Sequence, residues 1–352
     1  MTPDERRRVH SVIVGGGPAG SATALALLGS GRAVAVLERT RFERPRIGET
    51  LPPEARRFLA SLGVLERFER EGHLPSPGIV SLWGSDSPEE NDFVFNPYGH
   101  GWHLDRNRFD RMLVAAASER GAHVELGVSL AGSRAGERWE VVSRGGDRPC
   151  VYECDLVIDA AGRAPLPFGP ERRRVARDRL VALVGFGRAK GGCDSRTVLE
   201  ATELGWWYGA RLPGGGFVAT FMTDPRLVRR DYARFFREEV ARTRLLRERL
   251  EDASAFSVSA HRCTTTLRVP VVKDGWVAVG DAASAFDPLA SQGICKAIDG
   301  AARLGDAIAR GRLDDYEAWV RASFEDHLAR RAAYYALVRR WPDSPFWSPR
   351  IA

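Results

Sequence analysis

The sequence predicts an α/β protein: a Rossmann-like dinucleotide-binding domain, an α+β second domain built on an antiparallel sheet, and a helical C-terminus. Three observations carry that expectation. Residues 10–38 read as strand, glycine turn, helix and strand. A second apolar run, residues 276–279, ends at Gly280-Asp281 and leads into a helix of small residues. Between them, residues 164–270 change character, with apolar runs separated by glycine and proline turns.

The 352 residues carry a net charge of +6, with 44% hydrophobic and 28% charged residues. At roughly 150 residues per domain, that length suits two domains or one large one. The composition builds a core and excludes disordered and fibrous classes. Only Lys190, Lys273 and Lys296 of the 52 basic residues are lysines, leaving 49 arginines. Arginine suits phosphate and nucleic acid. Here, however, it falls in mixed runs such as Glu171-Arg172-Arg173-Arg174 and Arg247-Glu248-Arg249. These read as solvated surface, so no nucleic-acid partner is expected. The five scattered cysteines (150, 154, 193, 263 and 295) fit a reducing cytoplasm. Cys150 and Cys154 lack the further ligands of a zinc site, so no metal is expected. Residues 11–31 are uncharged behind Arg6-Arg7-Arg8, as in a leader segment, but Gly15-Gly16-Gly17-Pro18 would break its helix. No other long apolar run predicts a membrane span.

In order along the chain, residues 10–14 form a β-branched strand, Gly15-Gly16-Gly17-Pro18-Ala19-Gly20 turns, and residues 21–28 favour helix. Residues 33–37 give a second strand ending at Glu38, 18 residues beyond Gly20. This is the G-x-G-x-x-G fingerprint in its required βαβ context. Gly15 permits the tight turn, Gly17 the approach of a pyrophosphate, and Gly20 the close packing of helix on strand. The helix N-terminus attracts the phosphates, and Glu38 can accept the hydroxyls of an adenosine ribose. Farther on, residues 76–103 suggest a strand pair, and residues 181–187 and 216–222 strands of an antiparallel sheet joined through Trp206–Pro213. Residues 224–250 read as helix with Phe235, Phe236, Val240, Leu245 and Leu246 inward. Residues 314–340 read as an arginine-rich helix that caps the domain or meets a partner.

NAD and FAD share the fingerprint, and other motifs decide between them. Trp276-Val277-Ala278-Val279-Gly280-Asp281, Pro288-Leu289-Ala290-Ser291-Gln292-Gly293-Ile294 and Asp155–Arg163 occur in order over most of the chain. They resemble the FAD-dependent monooxygenase and flavin halogenase superfamily. The resemblance implies FAD, with Gly280 and Asp281 at the ribityl chain and pyrophosphate and Pro288, Gly293 and Ile294 against the isoalloxazine. It places Gly15, Gly17, Pro18, Ala19, Gly20, Glu38 and Arg39 at the nucleotide. Arg46 precedes Gly48-Glu49-Thr50-Leu51-Pro52-Pro53, which resembles the flavin-facing loop of halogenases, with Thr50 at the cofactor. Arg106 stands where the family's phosphate-binding arginine opens a helix. Two plain surface ion pairs are the alternative for Arg46 and Arg106. The implied FAD-binding domain is discontinuous (1–75, 104–165 and 268–310). It is completed by a substrate domain (76–103 and 166–267) and a C-terminal helical segment (311–352).

Gly205-Trp206-Trp207-Tyr208 is similar to the Trp-x-Trp-x-Ile-Pro segment of flavin halogenases but departs from it. The lysine that halogenation needs after the Gly-Glu-Thr loop is missing: the first lysine beyond it is Lys190. Residues 48–110, with Gly72-His73, Ser81-Leu82-Trp83-Gly84-Ser85 and Gly99-His100-Gly101-Trp102-His103, more closely resemble LodB/GoxB-type flavoprotein maturases of cysteine tryptophylquinone oxidases. That resemblance implies an FAD-dependent monooxygenase hydroxylating an aromatic ring, a tryptophan indole in a protein or peptide precursor. Its co-reactants would be O₂ and electrons from NAD(P)H or a partner flavin reductase. A halogenase of an indole, pyrrole or phenol and a non-catalytic flavin-binding chaperone of an oxidase precursor are the alternatives. Glu49 and His103 are the acid–base candidates. An acid that only orients its loop and a buried structural histidine are the plainer readings.

Overall fold

The computed structural model describes residues 5–135, 137–145, 149–229 and 231–351. Strand β1 (Glu5–Val14), helix α1 (Pro18–Gly29) and strand β2 (Val34–Glu38) form the first βαβ unit. They enter a sheet ordered Val272–Lys273, Trp276–Ala278, Cys150–Asp159, β1, β2, His123–Leu126. The pairs from Trp276–Ala278 to His123–Leu126 are parallel. Beyond residues 10–14, β1 extends back to Glu5 because residues 5–9 pair with residues 150–154. Its exposed arginines survive there beside acids, Arg6 on Glu140 and Arg7 on Glu5. β2 is buried along its whole length, as a parallel strand covered on both faces must be. The small residues of α1 let the helix Gly293–Arg310 approach closely: a Cβ added at Gly305 would lie 3.0 Å from that of Ala26.

The second large sheet is ordered Ser257–Arg262, Val181–Arg188, Gly216–Thr223, Gly205–Arg211, Thr197–Thr202, β5 (Gly78–Leu82), β6 (Glu89–Asp92). All its pairs are antiparallel except that of Thr197–Thr202 with β5. Successive side chains of a strand face opposite ways, so Trp206 and Trp207 serve different cores. Trp206 packs with Trp83, Tyr335, Phe346 and Trp347 of the C-terminal segment. Trp207 packs with Phe221, Phe235 and Phe236 beneath the helix Tyr232–Val240. Its ring stacks on Phe221 at 4.7 Å and 20°. Trp207→Ala should therefore cost about 3–5 kcal/mol, read as a lower urea midpoint at unchanged slope.

Two expected helices are shorter than the sequence pattern. Among the described residues of 224–250, the helical segments are Tyr232–Val240 and the single turn Arg247–Arg249. The chain bends between them because the buried Glu200 carboxylate accepts the main-chain N–H groups of Arg244, Leu245 and Leu246. The C-terminal helix spans Leu313–Tyr335, after which residues 341–351 fold back on the second sheet. A small sheet lies between the large ones: β3 (Thr50–Leu51), β7 (Gly101–His103) and β4 (Leu74–Ser76), with β7 central. Among the described residues no helix is long and apolar enough to cross a membrane, and no cluster of three metal-ligating side chains occurs.

Candidate active site

The carboxyl ends of β1, β2 and Cys150–Asp159 meet at one edge of the parallel sheet, where open α/β folds bind ligands. Gly15 takes φ +109°, and a Cβ there would stand 2.5 Å from the Ala160 carbonyl oxygen. Gly20 lies so close beneath that its Cβ would overlap the Gly15 carbonyl oxygen. Pro18 opens α1, and no side chain caps Gly17. Over Gly17 a Cβ would meet nothing nearer than Arg46 Nη1 at 3.9 Å. An uncapped helix end with open space above it suits a pyrophosphate. The far motif arrives at the same place. Gly280 takes φ +63°, and its Cβ would lie 2.6 Å from that of Ala19. These residues fit a dinucleotide.

Glu38 is 5% exposed at the end of β2. Its Oε2 accepts the Gly16 N–H at 2.8 Å, and its Oε1 accepts from Thr40 and from Arg46 at 3.2 Å. The carboxylate the sequence assigns to a ribose thus also closes the glycine turn. Arg39, next in line, is exposed. Arg46 spans from Glu38 to the fully buried Asp110, 2.9 Å away, and Arg106 grips the same Asp110 at 3.2 Å. Arg106 also donates to the Gly48 carbonyl at 3.0 Å, which ties the Gly-Glu-Thr loop to the helix Arg106–Glu119. Asp110 went unnoticed in the sequence, although its spacing of four from Arg106 was the available signal.

Asp281 pairs with Arg163 at 3.3 Å and with Lys296 at 3.1 Å. Desolvation opposes its ionisation, but the two cations outweigh that and hold the carboxyl below its ordinary value. Lys296 also donates to the Ser284 carbonyl and sits 4.0 Å from the Phe286 ring centroid. Pro288 starts a single 3₁₀ turn, Ser291 adopts φ +50°, and Gly293 and Ile294 open the long helix behind it.

The small sheet builds a polar cluster between the two large ones. Register sets Thr50 opposite His103. The Thr50 hydroxyl lies 2.6 Å from that of Tyr208, on the strand Gly205–Arg211. His103 is fully buried, with Nε2 3.0 Å from the Thr197 hydroxyl and Nδ1 unpartnered among the described residues. Burial pushes its pKa down to about 4, so near pH 7 the ring is neutral and works by hydrogen bonding rather than charge. Glu49 is 3% exposed and its Oε1 has no partner among the described residues. Burial pushes its carboxyl up to about 7, against the pull of Arg106. Burial, with the Glu49 charge, also holds the Tyr208 phenol neutral. Tyr208 and Thr197 come from distant strands, and only Tyr208 had a signal, its place in the tryptophan motif.

Comparison with known proteins identifies the family. The family model described as tryptophan halogenase matches residues 10–76 and 84–350. The putative FAD-dependent oxidoreductase LodB of Marinomonas mediterranea is 30% identical, over 97% of this chain and 96% of its own length. Two solved structures share the fold. The myxobacterial chondrochloren halogenase CndH has a TM-score of 0.86 at 24% identity, covering 98% of this chain and 86% of its own. The peptidyl tryptophan dihydroxylase QhpG, essential for tryptophylquinone cofactor biogenesis, has a TM-score of 0.81 at 23% identity, covering 98% and 79%. The chain belongs to the tryptophan halogenase family and is an FAD-dependent oxidoreductase.

Proposed function

We propose that the protein hydroxylates an aromatic ring, a tryptophan indole carried in a protein or peptide precursor. The similarity to LodB and the shared fold of the dihydroxylase QhpG support that substrate class. One observation carries the choice of oxygen over halogen: no lysine is among the partners the structure gives Glu49, Thr50, His103 or Tyr208. Lys190 and Lys273 are exposed, and the Lys296 ammonium is held by Asp281 and Ser284. The resemblance implies that halogenation needs a free lysine beside the substrate.

Gly15, Gly17, Gly20, Glu38, Arg46, Arg106, Gly280 and Asp281 would hold the cofactor. Bound FAD supplies the two-electron chemistry that activates O₂. One oxygen atom replaces a ring hydrogen, and the other leaves as water with two electrons and two protons from the reductant. The protein's part is placement and proton handling. With its pKa pushed up to about 7, Glu49 is partly ionised at neutral pH, and its carboxylate can take up the proton the ring carbon releases. Tyr208 and Thr50 fix each other's hydroxyls. NAD(P)H or a partner flavin reductase supplies the electrons.

The test is mass spectrometry of a tryptophan-bearing peptide after incubation with FAD-loaded protein, a flavin reductase, O₂ and bromide. The expected product gains the mass of oxygen whether or not bromide is present. A bromide-dependent mass gain would make the protein a halogenase. Peptide binding without oxygen consumption would make it a chaperone.

A further inference from the structure

The loop from Ser284 to Ser291 leads from the Gly280-Asp281 turn into the helix Gly293–Arg310, and its hold comes from the far end of the chain. Asp287 is 4% exposed at its centre. Its Oδ1 accepts the Leu289 N–H at 3.0 Å, shaping the 3₁₀ turn, and its Oδ2 accepts the Tyr335 hydroxyl at 2.8 Å. Its own N–H donates to His327 Nε2 at 3.2 Å. Tyr335 and His327 both belong to the C-terminal helix Leu313–Tyr335. The Tyr335 oxygen also accepts the indole N–H of Trp206 at 2.8 Å, from the second large sheet. One residue earlier, the Phe286 ring stacks on His327 at 4.1 Å and 9°.

The ring of Tyr335 is packed among Trp83, Phe346 and Trp347. Packing alone would be satisfied by phenylalanine. The hydroxyl does something else: it links Trp206 of the second large sheet to Asp287 of the loop through two hydrogen bonds. Ser291 closes that loop at φ +50°, a left-handed conformation for a residue with a side chain. Such a conformation persists where its surroundings dictate it: the Ser291 N–H closes on the Pro288 carbonyl at 3.0 Å, in the turn that Asp287 caps.

We propose that Tyr335 is a positioning residue: its hydroxyl, bridging Trp206 and Asp287, sets the flavin-facing loop in register with the substrate sheet. The inference rests on the reading that residues 288–294 face the flavin. His327 holds the same loop from its main-chain side, and together they make the C-terminal helix part of the active site's frame.

Tyr335→Phe tests this in the full chain loaded with FAD, because it keeps the ring and removes only the bridging oxygen. FAD affinity should stay within about threefold, since the glycine cradle is untouched. The visible absorption of the bound flavin should shift. Oxidised peptide per reductant consumed should fall on the order of tenfold, with peroxide released instead, since small misplacements of reacting groups are costly. Asp287→Asn, which keeps an acceptor for the hydroxyl, should lie between the two. A variant with a lowered melting temperature but unchanged flavin spectrum and coupling would overturn the proposal, reducing Tyr335 to packing. The spectrum is read without turnover. A shifted spectrum in a protein whose wild type never oxidises peptide would therefore sink the hydroxylase reading and leave the positioning role standing.

Discussion

Glu49→Gln should lower product formation roughly 10²–10⁴-fold, the usual worth of a placed acid–base group, while FAD still binds. The same substitution should change how stability depends on pH. Burial pushes the Glu49 carboxyl up to about 7 in the folded protein, against 4.5 when solvated. The folded state thus keeps a proton that the unfolded chain gives up. Its contribution is fully present below about pH 4.5, is lost as pH rises through about 7, and is constant above that. A separation of about 2.5 pH units corresponds to about 3 kcal/mol. His103 works in the opposite sense: its pKa is depressed from 6.5 to about 4, so its contribution is present above 6.5 and declines as pH falls. Urea denaturation of both proteins at several pH values separates the two. The variant should gain on the wild type between pH 4.5 and 7 and keep the acid-side decline. Parallel stability profiles would mean that Glu49 is solvated and titrates as an ordinary acid. Unchanged turnover would remove it from the chemistry.

The first βαβ unit was legible because its signals are local. The turn at Gly15, the helix after Pro18 and the acid at Glu38 lie within one βαβ unit, where spacing alone dictates geometry. The Gly280-Asp281 motif was also readable. That Gly280 would press against Ala19 was not, because nothing in either segment encodes their meeting. The second large sheet was harder for the same reason. Trp206 and Trp207 are neighbours in sequence yet belong to opposite cores. The helix expected over residues 224–250 breaks where Glu200, from another strand, captures three main-chain N–H groups. Apolar periodicity reports which residues are buried, and it is silent about a buried carboxylate arriving from elsewhere. The polar cluster joins Glu49, His103, Thr197 and Tyr208, residues up to 159 positions apart. Sequence patterns could nominate two of its members and could not show that they share a site.

Two glycine-to-alanine changes in α1 should part company: one weakens FAD binding and the other leaves it unchanged. At Gly20 the new Cβ would overlap the Gly15 carbonyl oxygen and lie 3.2 Å from the Ala160 Cβ. The overlapped atom is main chain, so no side chain can swing aside. Relief requires the helix to lift from the turn, which moves its N-terminus away from the phosphate position. The FAD dissociation constant should rise on the order of 100-fold, about 2.8 kcal/mol. At Gly29, the last residue of the same helix, a Cβ meets nothing within 4 Å. Alanine there should leave FAD affinity unchanged and add up to about 1 kcal/mol of stability, since glycine is the costlier residue in a helix. The pair isolates contact from propensity, because both substitutions make the same chemical change in one helix. Titration of each apoprotein with FAD, followed by quenching of flavin fluorescence, gives the comparison. Equal affinities in the two variants would show that the close packing of α1 on the glycine turn does not govern cofactor binding, and the assignment of Gly20 would fall with it.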